Sequence, residues 1–356
     1  MAQKSIGFGL VGTGMAGETQ AKEFQHVTGG EMVAACSRDE ANVREFAATY
    51  QIGKWYTDYE DLIRDPRVDV VCVLTPSGLH RDMAVAAAEA GKHVLIEKPL
   101  EINLHRADDI IRACKQYGSK LGVVFQMRFG SVARETKKAI EAGALGKIFL
   151  AEVIDKGSRT PAYYESALWR GTKELEGGGC LLTQSIHPID LIQYLVGPVS
   201  AVCGHVATSR HAIEVEDTAT ALFKFQNGAM GTIVSTTSIK PAMKSRLELH
   251  GGKGTIVVNA QYDKFLVWDV EDYPAPEPVE ASFDFHDIDD PWAFPQTRHR
   301  VQLQDMVDAI REDRDPILSG EEARKSLAIT MAIYESSKQR GKEVSLLAPE
   351  FAPPAF

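Results

Sequence analysis

Residues 5–17 read Ser-Ile-Gly-Phe-Gly-Leu-Val-Gly-Thr-Gly-Met-Ala-Gly, and this stretch decides the architecture. Ile6–Val11 is an apolar run of strand length. Gly12, Gly14 and Gly17 follow at once in a G-x-G-x-x-G spacing that opens a helical run, Ala16–Gln25. Each glycine answers a different steric demand: a tight turn, close approach of a pyrophosphate to the backbone, and close packing of helix on strand. The helix N-terminus then offers free amides and a positive dipole end to the phosphates. The spacing alone arises by chance, but a strand before it and a helix after it mark a dinucleotide-binding turn. Gly12, Thr13, Gly14, Met15 and Ala16 are its expected contacts.

Outward from this turn the alternation continues. Glu31–Cys36 reads as a strand, Glu40–Tyr50 as a helix, and Asp58 can cap a helix reaching Arg64. Asp69–Leu74 is a continuous apolar strand of the kind buried on both faces of a parallel sheet. A helix Arg81–Ala90, a strand His93–Ile96, a helix Leu104–Tyr117 and a strand Leu121–Phe125 follow. This spacing predicts an α/β fold, with a Rossmann-type doubly wound parallel sheet over residues 1–125.

Residues 126–356 are expected to form a second domain for substrate binding and oligomerisation. A helix Val132–Ala142, a strand Ile148–Asp155 and a helix from near Leu181 to Leu195 come first. Then Val199–Thr208, Thr218–Gln226, Met230–Ser238, Arg246–His250 and Thr255–Val258 succeed one another without helices. Asn227-Gly228 and Gly251-Gly252 supply hairpin turns. These runs predict an α+β domain with an open, mostly antiparallel sheet and helices on one face. The other face, around Leu222–Phe225 and Ile233, needs a cover, so a homodimer or homotetramer is expected. Pro274–Pro291 carries no periodicity and reads as a long surface excursion. Helices over Arg298–Arg311 and Glu321–Arg340 complete the chain.

A length of 356 residues suits two domains. The net charge of -10 argues against a nucleic-acid binder and against docking on anionic membranes. No segment has the apolar length of a membrane span. Cys36, Cys72, Cys114, Cys180 and Cys203 form no C-x-x-C pair, which points to a reducing compartment, and the expected location is the cytoplasm.

The end of the second strand selects the cofactor. An acid there would bind the ribose of NAD, but this chain has Ser37 in that place and then Arg38, whose guanidinium suits a 2′-phosphate. Asp39 follows closely enough to blur the choice. NADP is the preferred expectation and NAD the alternative.

Glu97-Lys98-Pro99 follows the fifth strand, and Thr75-Pro76-Ser77 with His80 follows the fourth. In the second half come Trp169-Arg170-Gly171-Thr172, Gly177-Gly178-Gly179, and then Gln184, His187 and Asp190. In this order the motifs resemble the glucose–fructose oxidoreductase / inositol dehydrogenase / MocA (Gfo/Idh/MocA) family over essentially the whole chain. Within it the likeness is nearest to the nucleotide-sugar and glycoside 3-dehydrogenases, carried also by Tyr163-Tyr164, Glu214-Val215-Glu216-Asp217 and Phe225–Ala229.

The resemblance implies that Lys98 lies near the nicotinamide and the substrate hydroxyl, and that His187 faces that hydroxyl as its acid/base partner. Oxidising a secondary alcohol requires a group that takes the hydroxyl proton as hydride leaves the carbon. A desolvated lysine or a histidine can do this. Many members carry aspartate four residues before the histidine; Thr183 stands there in this chain, which leaves Lys98 and His187 as the pair. Asp190 orients His187 or forms a cap or salt bridge. Thr75, Pro76, His80, Glu97 and Gln126 are further expected cofactor contacts. Arg159, Tyr163, Trp169, Arg170, Thr183 and Gln184 are expected at a carbohydrate, nucleotide-sugar or inositol substrate. No metal site is expected, because His187 and Asp190 lack further ligands at a recognisable spacing. Two other readings stay open: a glycosidase or lyase working through transient oxidation, and a non-catalytic dinucleotide sensor, although the latter would not need Lys98 and His187.

Overall fold

The computed structural model describes residues 4–243, 245–259, 263–277 and 297–354. From residue 278 onward, the expected excursion lies outside the described residues. The chain divides into two compact units, Met1–Gln126 with Gln296–Arg324 and Pro353–Phe356, and Met127–Pro295 with Lys325–Ala352.

In the first unit six strands, β1 (Ile6–Val11), β2 (Gly30–Cys36), β3 (Trp55–Tyr56), β4 (Val70–Val73), β5 (His93–Ile96) and β6 (Leu121–Val123), form one sheet in the order 3-2-1-4-5-6. Every neighbouring pair is parallel. The helices between them are α1 (Met15–Phe24), α2 (Glu40–Thr49), α3 (Tyr59–Arg64), α4 (His80–Glu89) and α5 (Leu104–Gln116). Continuous apolar strands such as Val70–Val73 are buried throughout, as a sheet covered on both faces requires. Phe8 is fully buried and packs edge-to-face on Phe24, ring centroids 4.7 Å apart. A side chain of this kind contributes about 1.5–3 kcal/mol by leaving water. The helix Thr297–Arg311 sends Leu303, Met306 and Val307 into this same core. Residues 296–324 therefore join the first unit, whereas a linear division near residue 125 assigns them to the second.

The second unit holds an eight-stranded sheet. Its strands are β7 (Ile148–Lys156), β8 (Val199–Ala207), β9 (Thr218–Phe225), β10 (Met230–Thr236), β11 (Arg246–Gly251), β12 (Gly254–Asn259), β13 (Phe265–Val270) and β14 (Val344–Ser345), in the order 13-12-11-7-10-9-8-14. Only β7 and β10 run parallel; the other neighbours are antiparallel. β9 alternates strictly: Ala219, Ala221, Phe223 and Phe225 are buried, while Leu222 is 60% exposed. Ile233 is buried with the first set, so Phe223, Phe225 and Ile233 belong to the inner core. The outer face is made by Leu222 and its neighbours instead. The helices before β8 are α6 (Ser131–Glu141), α7 (Pro161–Glu165) and α8 (Ile186–Val196), with α8 packed on β7 and α6 on α8.

Candidate active site

The carboxyl ends of the first sheet carry the expected cofactor residues. Gly12 has φ +115°, and a Cβ there would come within 2.5 Å of the Leu74 carbonyl oxygen. At Gly17 a Cβ would collide with the Gly12 carbonyl oxygen, so no side chain fits. Gly14 differs: a Cβ there would meet nothing within 4 Å, and α1 begins at this point without a side-chain cap. Open space in front of uncapped amides is what a pyrophosphate requires. Gln126 fits as well, since its Oε1 is shielded from solvent and has no donor among the described residues. These groups suit a dinucleotide.

At the end of β2, Asp39 is committed to capping α2, its carboxylate accepting from the Asn42 amide at 3.0 Å. Ser37 Oγ accepts from the Asp39 amide at 3.4 Å. Arg38 is exposed and makes no ion pair among the described residues. The Thr13 hydroxyl bonds the Asn42 carboxamide and so ties the glycine turn to α2.

After β4 and β5, Thr75, Pro76, Glu97 and Lys98 remain partly exposed. His80 does not: its ring is fully buried, with Nδ1 3.1 Å from the Pro99 carbonyl and Nε2 2.9 Å from that of Thr75. The expected cofactor contact is therefore corrected. His80 pins the two loops together, and both ring nitrogens face backbone. Arg106 adds a second tie that the sequence did not reveal, bonding Glu101 at 2.7 Å and the Gly78 carbonyl at 2.8 Å. Burial pushes the Glu97 carboxyl up to about 7, with the neighbouring Lys98 charge acting in the opposite direction.

In the second unit the Gly177–Gly179 turn leads into a single π-turn, Cys180–Gln184, and then into α8. π-turns recur at functional sites. Here the expected unbroken helix is interrupted where Thr183 and Gln184 sit. Glu216 explains the turn, because its buried carboxylate accepts from the amides of Gly179 (2.8 Å) and Leu181 (2.9 Å) and from the Tyr334 hydroxyl (2.9 Å). Thr183 donates back to the Gly179 carbonyl at 2.8 Å. Ser185 donates to Asp155 at 2.6 Å.

His187 is the second residue of α8 and is partly exposed. Of the roles open to Asp190, the structure shows the salt bridge: it is buried and takes both arms of Arg128, at 2.7 and 2.6 Å. Arg128 also stacks on Tyr194, 4.6 Å from the ring centre. The expected substrate residues Arg159, Tyr163, Trp169, Arg170 and Gln184 form one neighbourhood. Arg159 Nη2 donates to Gln184 at 2.9 Å, and both guanidinium groups stack on Tyr163. His211, not singled out beforehand, supports this group from behind, with Nε2 3.0 Å from the Arg159 carbonyl and Nδ1 3.2 Å from Asp217. Burial works against ionisation of Asp217, but the amides of Ser209, His211 and Arg210 outweigh it and hold the carboxyl well below its usual range. Elsewhere in the second unit, Glu152, Glu248 and His250 come together on the sheet, where Thr232, Arg246 and Thr255 already engage them.

A 3-2-1-4-5-6 parallel sheet with an open glycine turn defines the class: a dinucleotide-binding Rossmann protein. Comparison with known proteins gives its family. Residues 6–125 match the model of the oxidoreductase family with an NAD-binding Rossmann fold, and residues 133–257 match the Gfo/Idh/MocA C-terminal domain. The chain belongs to the Gfo/Idh/MocA family of NAD-binding oxidoreductases. It is 30% identical to 1,5-anhydro-D-fructose reductase of Ensifer adhaerens over 70% of this chain and 74% of that one. Its identity to the myo-inositol 2-dehydrogenase of Thermotoga maritima is 26%, over 93% and 96% of the two chains. Among solved structures it resembles the WlbA dehydrogenase of Bordetella pertussis in complex with NADH and UDP-GlcNAcA, with a TM-score of 0.87 and 30% identity over 97% and 99% of the chains.

Proposed function

We propose that this chain moves hydride between a secondary ring hydroxyl and a nicotinamide, with a sugar, nucleotide sugar or inositol as substrate and carbon 3 of a pyranose as the favoured position. The carrying observation is Lys98, which stands two residues past the end of β5, is partly buried beside Glu97, and lies at the sheet end that also bears the open glycine turn. The bound dinucleotide supplies the hydride acceptor. The hydroxyl O–H gives its proton to Lys98 or His187, the carbinol carbon loses hydride, and a ketone remains; reduction runs the same steps backwards. Relatives named for inositol, anhydrofructose and UDP-GlcNAcA support a polyhydroxylated substrate. Arg38, exposed and unpaired among the described residues, supports NADP over NAD, with Asp39 withdrawn into its cap. Five free cysteines support the cytoplasm as the location.

The test is turnover. Lys98→Met and His187→Ala should each lower kcat by roughly 10²-fold or more, because general acid–base groups contribute about that much. Dinucleotide affinity of the Lys98 variant, followed by fluorescence titration, should stay close to that of the unaltered chain. Near-normal turnover by the Lys98 variant would remove the assignment.

A further inference from the structure

Arg159 lies just beyond β7, and Arg170 closes the loop that follows α7. Their guanidinium carbons lie 4.9 and 4.2 Å from the centre of one ring, Tyr163, and Arg170 also lies 4.6 Å from Trp169. Neighbouring cations repel. In a chain with 49 acidic against 39 basic residues, a carboxylate could readily have been set between them. Among the described residues none is: neither arginine makes an ion pair, and the single hydrogen bond from either guanidinium is that from Arg159 to Gln184. Nε of each is shielded from solvent without an acceptor.

Stacking on aromatic rings covers the faces of a guanidinium and leaves its donor edge for two oxygens of one anion. The backbone holding Arg159 is fixed on both sides, its amide donating to the Thr237 carbonyl at 2.7 Å and its carbonyl 3.0 Å from His211 Nε2. Gln184, which receives Arg159, stands three residues before His187.

We infer that Arg159 and Arg170 form an anion clamp, and that the true substrate is a sugar carrying a carboxylate or a phosphate. The inference rests on the sugar-oxidising reading above and adds the substrate's charge to it. Its test compares kcat/KM of the full chain, with saturating dinucleotide, on methyl glucoside, D-glucuronate and UDP-glucose. At least one anionic sugar should exceed the neutral one by about tenfold or more. An advantage shared by glucuronate assigns a carboxylate; one confined to UDP-glucose assigns a phosphate. Arg159→Ala and Arg170→Ala should each shrink the anionic-to-neutral ratio by about tenfold through KM. Arg170→Lys should restore only part, because an ammonium lacks the planar fork. A neutral sugar turned over as well as both anionic ones, or a ratio unmoved in both alanine variants, would overturn the clamp. Should no sugar be turned over, the underlying reading fails separately. Calorimetry then decides the clamp: D-glucuronate or UDP, titrated with the dinucleotide site saturated, must bind the unaltered chain and not the Arg159→Ala/Arg170→Ala protein.

Discussion

Arg38 is a single exposed charge at the end of β2, and its value depends on whether a 2′-phosphate comes to meet it. A charge-assisted contact of that kind contributes about 1.5–3 kcal/mol. Arg38→Ala should therefore weaken NADP binding by roughly ten- to a hundredfold and leave NAD nearly unchanged, read as the two dissociation constants. Equal affinity of the unaltered chain for both dinucleotides would show that Ser37 and Arg38 do not select. Glu97 makes a prediction about stability. Its carboxyl titrates near 7 in the folded chain because burial disfavours the charged form, against about 4.5 unfolded. The folded state thus holds the proton more firmly, and its contribution to stability falls as pH rises from about 4.5 to 7. The loss amounts to roughly 3 kcal/mol. In denaturant unfolding without dinucleotide, Glu97→Gln should be more stable relative to the parent at pH 8 than at pH 5. A gap between the two proteins that does not change with pH would refute this.

At the scale of elements, the π-turn is tightly specified. A Cβ on Gly179 would collide with the Glu216 carbonyl oxygen, and one on Gly178 with the Tyr334 hydroxyl. Gly179→Ala should cost about 1–3 kcal/mol or more, seen as a lower denaturation midpoint, because backbone rather than a flexible side chain must give way. A variant as stable as the parent would show that the turn relaxes freely. The legibility of elements follows from how local their cause is. β1, the glycine turn and α1 could be read directly, since apolar run, glycine spacing and helix all lie within residues 5–25. The two-residue strands β3 and β14 exist only through pairing with β2 and β8, and so short a stretch carries no periodicity. The glycine run was visible as a motif. Its partner Glu216 lies 37 residues away, and the carboxylate's role emerges only from the fold. His80 was misread for the same reason: residue type and strand-end position fit a ligand contact, and only the Thr75 and Pro99 carbonyls show its ring to be occupied.

For the molecule as a whole, the outstanding physical demand is the outer face of the eight-stranded sheet. Leu222 and Met230 are 60% and 64% exposed, and the pairing of Met230 with Leu150 and of Val234 with Ile154 places further apolar side chains on the same side. Scattered apolar side chains need no explanation, but Leu222, Met230, Leu150, Val234 and Ile154 lie on three neighbouring strands and flank the polar Thr232–Glu152 pair, which makes them a patch. Leaving out the two-residue β14, strands about 4.8 Å apart and about 20 Å long give a face of roughly 700 Å², close to the ~800 Å² per partner that a stable interface buries. One edge of the sheet is the two-residue β14, too short to template edge-to-edge growth, which favours face-to-face pairing. A second copy of this chain is the cover we expect, as a homodimer or a homotetramer. Light scattering at micromolar concentration should give at least twice the 39.0 kDa chain mass. Leu222→Glu should shift the mass towards 39.0 kDa while far-ultraviolet circular dichroism stays unchanged, since the side chain touches little of its own core. A monodisperse monomer of the unaltered chain under the same conditions would mean that the apolar face serves something other than self-association.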